Sequence, residues 1–333
     1  MGSTASSGSK PGTLDRAQRK RRWPPPRLTA GHTPLLLLGA SRSTLARYGF
    51  CYLMLALPAL LFIVFRIIPI AQTLRLSVLN WDLISATKPF VGLDNFRALL
   101  QDPNFLLALS NTTTFAAVTV TASVLLALLV ALPLARRVRW EGLYQLFYFL
   151  PFVAPTVPEA VAWKWICDTR NGLLNYLLSL VGVGPVPWLI EPRATLWAVI
   201  IMSVWKTLGY NMVLFIVGLR AIPAEYTEAA LIDGAAGWRL FRHITLPLLM
   251  PTVLLITVIS TISAYNVFTQ VYVLASDIQG SPAGLVRVLI YDIFENAFRF
   301  YRMGYASAEA TIFFVIVLCL TLAQFRVLRS QTE

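Results

Sequence analysis

Residues 106–135 read LLALSNTTTFAAVTVTASVLLALLVALPLA, thirty positions without an Asp, Glu, Lys or Arg. A helix needs about 20 mostly apolar residues to cross the hydrocarbon of a bilayer, so this run predicts a membrane-spanning helix. The same length test, worked outward, yields five further spans at 50–73, 143–166, 194–219, 248–274 and 304–325. Leu35–Leu38 is too short to cross. The first span does not read as a signal peptide, because a long polar stretch precedes it and no small-residue cleavage site follows. The expected fold class is all-α, a polytopic membrane protein with six transmembrane helices.

Composition points the same way. Of the 333 residues, 57% are hydrophobic and only 13% are charged, with a mean hydropathy of +0.66. Soluble domains carry about a quarter charged residues, so a disordered chain is excluded and an ordinary soluble enzyme is disfavoured. The net charge of +12 is concentrated: residues 1–48 hold nine Lys/Arg against Asp15 alone, which is eight of the twelve. A basic tail beside a span reads as an orientation signal or a contact for anionic lipid. No nucleic-acid partner is expected, since no aromatic-studded basic fold accompanies the tail. Its Gly, Ser, Pro and Arg content predicts disorder. Cys51, Cys167 and Cys319 lie far apart and suggest neither a disulfide framework nor a metal site.

Orientation follows from Lys and Arg in alternate segments. The tail, 136–142, 220–247 and the C-terminus hold seventeen, whereas 80–105, 167–193 and 275–303 hold seven. Both termini are therefore expected in the cytoplasm of a prokaryotic cell whose plasma membrane the chain crosses several times. The chain divides into a basic tail at 1–48, a first helix with its extracytoplasmic segment at 49–105, a five-helix core at 106–327 and a short C-terminus at 328–333. The outer segments carry short elements: a turn and helix around Phe90–Phe96, an Asn171-Gly172 turn with a short apolar helix after it, and an aromatic-rich amphipathic stretch at 282–302. Capping of a pathway, docking of a partner and simple interfacial aromatic belts are all open for them.

The loop at 220–247 carries the most information. Pro223 suits the first turn of a helix and Glu225 its positive end. Gly234 stands where a helix needs positive φ to stop. A second short helix is expected from about Ala236, with Trp238, Phe241 and Thr245 on one face, ended by Pro247, which can also open the fifth span. Glu228, Ala229 and Ala230 combine a carboxylate with small side chains that let a partner's backbone approach. The alternative is an amphipathic loop packed under its own bundle.

Glu228-Ala229-Ala230, three residues, Gly234, nine residues, then Ile244-x-Leu246-Pro247 resembles the EAA loop of membrane subunits of binding-protein-dependent ABC importers. Leu57-Pro58-Ala59-Leu60, Phe90–Phe96, Asn111-Thr112, Leu150-Pro151-Phe152, Trp163-Lys164-Trp165, Gly172–Asn175 and Val204-Trp205-Lys206 resemble the carbohydrate branch, the maltose and glycerol 3-phosphate type. The similarity covers about residues 50–327. It implies the type I importer permease fold. It also implies that Glu228, Ala229, Ala230, Asp233 and Gly234 form a coupling helix on a cytoplasmic ATP-binding subunit. The implied partners are a second, homologous permease, two copies of that ATPase and an extracytoplasmic solute-binding protein, within membrane lipid. No G-x-x-x-x-G-K-[ST] phosphate loop is found, so this chain would bind no cofactor and catalyse nothing, with ATP and Mg held by the partner.

Polar groups inside spans mark pathways by default. Here they include Arg66, Asn111 and several threonines, Glu159, then Lys206, Tyr210 and Asn211, and finally Ser263, Tyr265, Asn266, Thr269 and Gln270. Glu159 is read as the one carboxylate within a span and is expected to pair with Arg66 or Lys206. Lys206, Tyr210, Asn211, Tyr265, Asn266 and Gln270 are the candidate substrate pathway, since aromatic faces and amides suit a sugar; interhelical hydrogen bonding would use the same residues. A neutral mono- or oligosaccharide is the favoured solute, with glycerol 3-phosphate as alternative. Pro155 and Pro158 are candidate hinges in the third span. An ion-coupled secondary transporter is the rival of another class, but no repeat relates the halves. A membrane-embedded enzyme lacks ligands and bases, with only His32 and His243 in the chain.

Overall fold

The computed structural model describes residues 42–85, 87–136, 138–276 and 286–332. The tail at 1–41 and the stretch 277–285 lie outside the described residues, and with them most of the basic segment. The chain divides into two compact units after Phe62. The first contains helix α1, Arg42–Phe62, which has no charged residue after Arg47 and whose described side chains are all exposed.

The second unit is helical, and the one β pairing among its described residues is an isolated bridge between Leu79 and Phe90. Its elements are α2 (Ile68–Leu76), α3 (Asp94–Gln101), α4 (Pro103–Leu134), α5 (Glu141–Val153), α6 (Thr156–Ile166) and α7 (Leu173–Leu180). These are followed by α8 (Pro192–Arg220), α9 (Ala224–Ile232), α10 (Trp238–Leu240), α11 (Leu246–Tyr265), α12 (Thr269–Ser276), α13 (Leu289–Phe294) and α14 (Met303–Thr332). By length and apolar composition five helical runs among the described residues suit a membrane crossing: Tyr48–Leu76, Pro103–Leu134, Pro192–Arg220, Trp238–Tyr265 and Met303–Arg326.

The sixth expected span, 143–166, is not one straight helix. It breaks between α5 and α6 with a bend of 98°. Ala154, immediately before Pro155, is extended at ψ 141°, as the ring of a following proline demands. Pro158 falls in the first turn of α6, where its missing N–H costs nothing. The fifth span also differs from the expected 248–274. Its helix stops at Tyr265, where the Asn266 amide donates back to the Ile262 carbonyl at 2.7 Å and the chain turns before α12.

Pro247 stands in the first turn of α11, as expected of a residue that opens the fifth span, but it does not end a separate short helix. The helix runs on from Trp238, and a π turn at Phe241–Thr245 lies just before the proline. Widening that turn accommodates a ring that would otherwise collide with the carbonyl four residues back. A second π turn, Ile63–Ile67, stands before Pro69 in the same relation.

One part of the core of the second unit is built by α4, α8 and α11, and a larger part adds α6, α12 and α13. Ala127 and Ala131 of α4 meet Met212, Phe215 and Ile216 of α8 and Leu249 of α11. Lipid tails are as apolar as leucine, so helix association in a bilayer rests on close packing at small residues. Gly209 of α8 meets α5 this closely: a Cβ there would lie 1.8 Å from the carbonyl oxygen of Tyr148.

Candidate functional site

A cavity of about 270 Å³ opens where α4, α5, α8 and α11 converge. Phe115, Thr119 and Ser123 line it from α4, Phe152 from α5, Ser203, Lys206, Tyr210 and Asn211 from α8, and Ser260 and Ser263 from α11. Gln270 of α12 closes one side. Tyr210 stacks on Phe152 with ring centroids 4.6 Å apart and planes 16° from parallel. The Thr119 and Ser203 hydroxyls are buried without a hydrogen-bond partner. Asn211 is tied between helices, its amide donating to Ser123 Oγ at 3.4 Å and Ser260 Oγ at 3.3 Å.

Of the six expected pathway residues, Lys206, Tyr210, Asn211 and Gln270 line this cavity. Tyr265 and Asn266 do not. Tyr265 is buried in the core with its ring 6.4 Å from that of Phe313, and Asn266 spends its amide on the end of α11. Both fall near the helix terminus, where a period of 3.6 no longer tells which way a side chain turns. Phe115, Thr207 and Ser203 were not singled out in the sequence, because small hydroxyls and an aromatic ring on a long apolar helix carry no signal of their own.

Beside the cavity, Lys206 holds the broken span together. Its ammonium donates to the carbonyl oxygens of Pro151 at 3.1 Å and Ala154 at 2.8 Å, and to the carboxylate of Glu159. The two carbonyls belong to the last turn of α5, where a helix end leaves acceptors without partners; Glu159 sits in the first turn of α6, favourable for a negative charge. One side chain thus satisfies both sides of the break. The pairing expected for Glu159 is with Lys206; Arg66 is exposed.

A second buried network lies at α13 and α14. Arg287 meets Asp292 at 2.5 Å and Glu295 at 2.8 Å, Tyr291 donates to Glu295 at 3.1 Å, and Asn296 donates to Glu309 at 3.2 Å. Burial pushes the Asp292 carboxyl above its ordinary range against the pull of Arg287. Glu309 is fully buried in α14, so Glu159 is not the one carboxylate within a span. The signal was present: Glu309 lies inside the 304–325 run, flanked by Ala308 and Ala310.

The loop between α8 and α11 forms a hairpin. Pro223 precedes α9 at φ −59°, Asp233 caps its end and Gly234 turns the chain at φ +79°, as the sequence predicts. Glu228, Ala229, Asp233 and Gly234 are exposed, and Ile232 is 88% exposed. Ala230 is buried within the chain. At the root of the hairpin, Arg220 bonds Glu141 at 2.6 Å and the Leu134 carbonyl at 3.3 Å, tying the ends of α4 and α8 to α5.

Residues 40–331 match the family described as "Binding-protein-dependent transport system inner membrane component". The chain belongs to this family. It is a multi-pass permease, and its relatives are transport permeases too. It is 35% identical over 285 residues to the trehalose/maltose transport system permease protein MalF of Thermococcus litoralis, covering 85% of this chain and 94% of that protein. It is 33% identical over 282 residues to the sn-glycerol-3-phosphate transport system permease protein UgpA of Agrobacterium fabrum, covering 85% and 95%. In fold it matches a chain of a bacterial ABC transporter involved in the import of the acidic polysaccharide alginate, with a TM-score of 0.74 at 23% identity over 87% of this chain and 99% of that one. That transporter is also known in complex with an alginate pentasaccharide-bound periplasmic protein. The all-α importer-permease fold read from the sequence therefore holds.

Proposed function

We propose that this permease forms half of the translocation pathway of an ATP-driven sugar importer and receives the stroke of a separate ATPase through the loop 220–247. The observation that carries the coupling half is the hairpin itself. A helix whose outer face exposes Glu228, Ala229, Asp233 and the bare Ile232 side chain is joined at both ends to core helices α8 and α11. A ligand moves a two-state element only through differential contacts, and a short rigid lever anchored in two packed helices transmits such contacts. Glu228 or Asp233 pairs with a basic group on the ATPase, while Ala229 lets its backbone approach. The Lys/Arg distribution supports a cytoplasmic side for this loop and both termini.

Support for the sugar half comes from the cavity's chemistry: hydroxyls of Thr119 and Ser203 with no partner, amides of Asn211 and Gln270, and the stacked Tyr210–Phe152 pair. Relatives named for trehalose/maltose transport point to the same class. A similar second permease completes the pathway, two ATP-binding subunits supply hydrolysis, and a solute-binding protein delivers the sugar from outside.

Pull-down of the complex through a tag on this chain tests the coupling. Wild-type chain should bring an ATP-binding subunit with it, and Glu228→Lys should release that subunit while the two permeases stay together. Retention of the ATPase by Glu228→Lys and by Asp233→Lys alike would remove the loop from the interface.

A further inference from the structure

We propose that Glu159 is the charge filter of the pathway: by cancelling Lys206 at the cavity wall, it makes the pathway accept uncharged polyhydroxyl solutes and exclude phosphorylated or carboxylated ones. The inference rests on the reading of this cavity as the solute pathway and names the substrate class that the cavity takes. Among the described residues that line it, Lys206 is the only one with a charged side chain. An ammonium has three N–H donors, and here all three have partners: the Pro151 carbonyl at 3.1 Å, the Ala154 carbonyl at 2.8 Å and the Glu159 carboxylate. Nothing is left to bind a phosphate or a uronate. The lysine is held by these three acceptors, and its charge is balanced by a carboxylate that is itself 8% exposed.

What a solute meets instead is neutral. Thr119, Ser203, Thr207 and Tyr210 offer hydroxyls, and Asn211 and Gln270 offer amides. These replace the water around a sugar hydroxyl one bond at a time. An anion entering the same space would lose its hydration without a counter-charge, which is costly in a low-dielectric interior. Removing the Glu159 charge alone would leave the Lys206 cation uncompensated at the wall, where it attracts anions over several ångströms. The distinction matters because the relatives named above include permeases for a neutral disaccharide and for a phosphate ester.

The test is saturation-transfer NMR binding on the intact complex in lipid nanodiscs, without the solute-binding protein. The probes are glucose, maltose and trehalose, each paired with its 6-phosphate. Wild type should bind the neutral member of its preferred pair at least tenfold more tightly than the phosphate. Glu159→Gln should shrink that ratio at least tenfold and make phosphate binding weaken with added salt. The double variant Glu159→Gln/Lys206→Met should restore rejection of the phosphate. Wild type binding the phosphate as tightly as the sugar overturns the filter, as does an unchanged ratio in an assembled Glu159→Gln complex. If Glu159→Gln does not assemble, the wild-type ratio and its salt dependence decide alone. Failure of the underlying reading looks different: neither member of any pair binds, and competition leaves the Tyr210 and Phe152 resonances unmoved.

Discussion

Replacing Lys206 by methionine removes one group from three partners at once. The carboxylate of Glu159 stays buried and unpaired, and the carbonyls of Pro151 and Ala154 lose their donor. Removing one member of a buried ion pair costs about 3–5 kcal/mol, and each orphaned buried acceptor costs about 1–3 kcal/mol. These terms belong to one network and do not simply add, so the expected loss is about 4 kcal/mol or somewhat more. Methionine matches the volume, so packing contributes little. The double variant Glu159→Met/Lys206→Met removes both charges and keeps only the carbonyl penalty, since apolar replacement of a whole buried pair is often neutral. The predicted order of stability is therefore wild type, then double variant, then Lys206→Met. Denaturant titration in mild detergent, followed by tryptophan fluorescence, reads it: Trp163 and Trp205 lie 5.7 Å apart on the two helices concerned. A Lys206→Met protein within 1 kcal/mol of wild type, a margin well below the cost of breaking a buried pair, or a double variant no more stable than the single one, would refute the clamp.

Other outcomes follow from the packing and the hairpin. Gly209→Ala places a Cβ 1.8 Å from the Tyr148 oxygen; α5 and α8 must separate, and the same titration should show a loss of at least 1–3 kcal/mol, roughly the cost of overpacking. Gly234→Val forces a branched residue to φ +79°, which strains the turn by about 1–2 kcal/mol; uptake should fall while the assembled permease pair elutes unchanged. Arg220→Ala breaks a pair that is about one-third exposed on each side, and such pairs contribute at most about 1 kcal/mol, so its unfolding midpoint should barely move.

The spans were legible because membrane solvent leaves a coarse mark: long runs without charge, such as 106–135. Gly234 was legible too, since positive φ after a capped helix is a local demand. What the sequence could not show was how broken elements find partners. Pro155 announced a weakness in the third span, yet the bend of 98° persists because a lysine 52 and 55 residues further along the chain reaches the freed carbonyls. Tyr265 and Asn266 fall outside the cavity lining for a related reason: they sit where α11 stops, and tertiary packing rather than helical period sets their direction. Glu309 was overlooked among small neighbours, although a buried carboxylate there is held by Asn296 from the adjoining segment. Ala230, grouped with Ala229 by type, turns inward because residues one apart on a helix do not share a face.

ATP-dependent uptake into proteoliposomes containing this permease, its partner permease, the ATPase and the solute-binding protein is the most direct measurement. Labelled sugar should accumulate only with ATP inside the ATPase-facing compartment and with binding protein outside, and Glu228→Lys should abolish accumulation. Accumulation that ignores ATP and follows an imposed proton or sodium gradient would contradict the account and favour a secondary transporter.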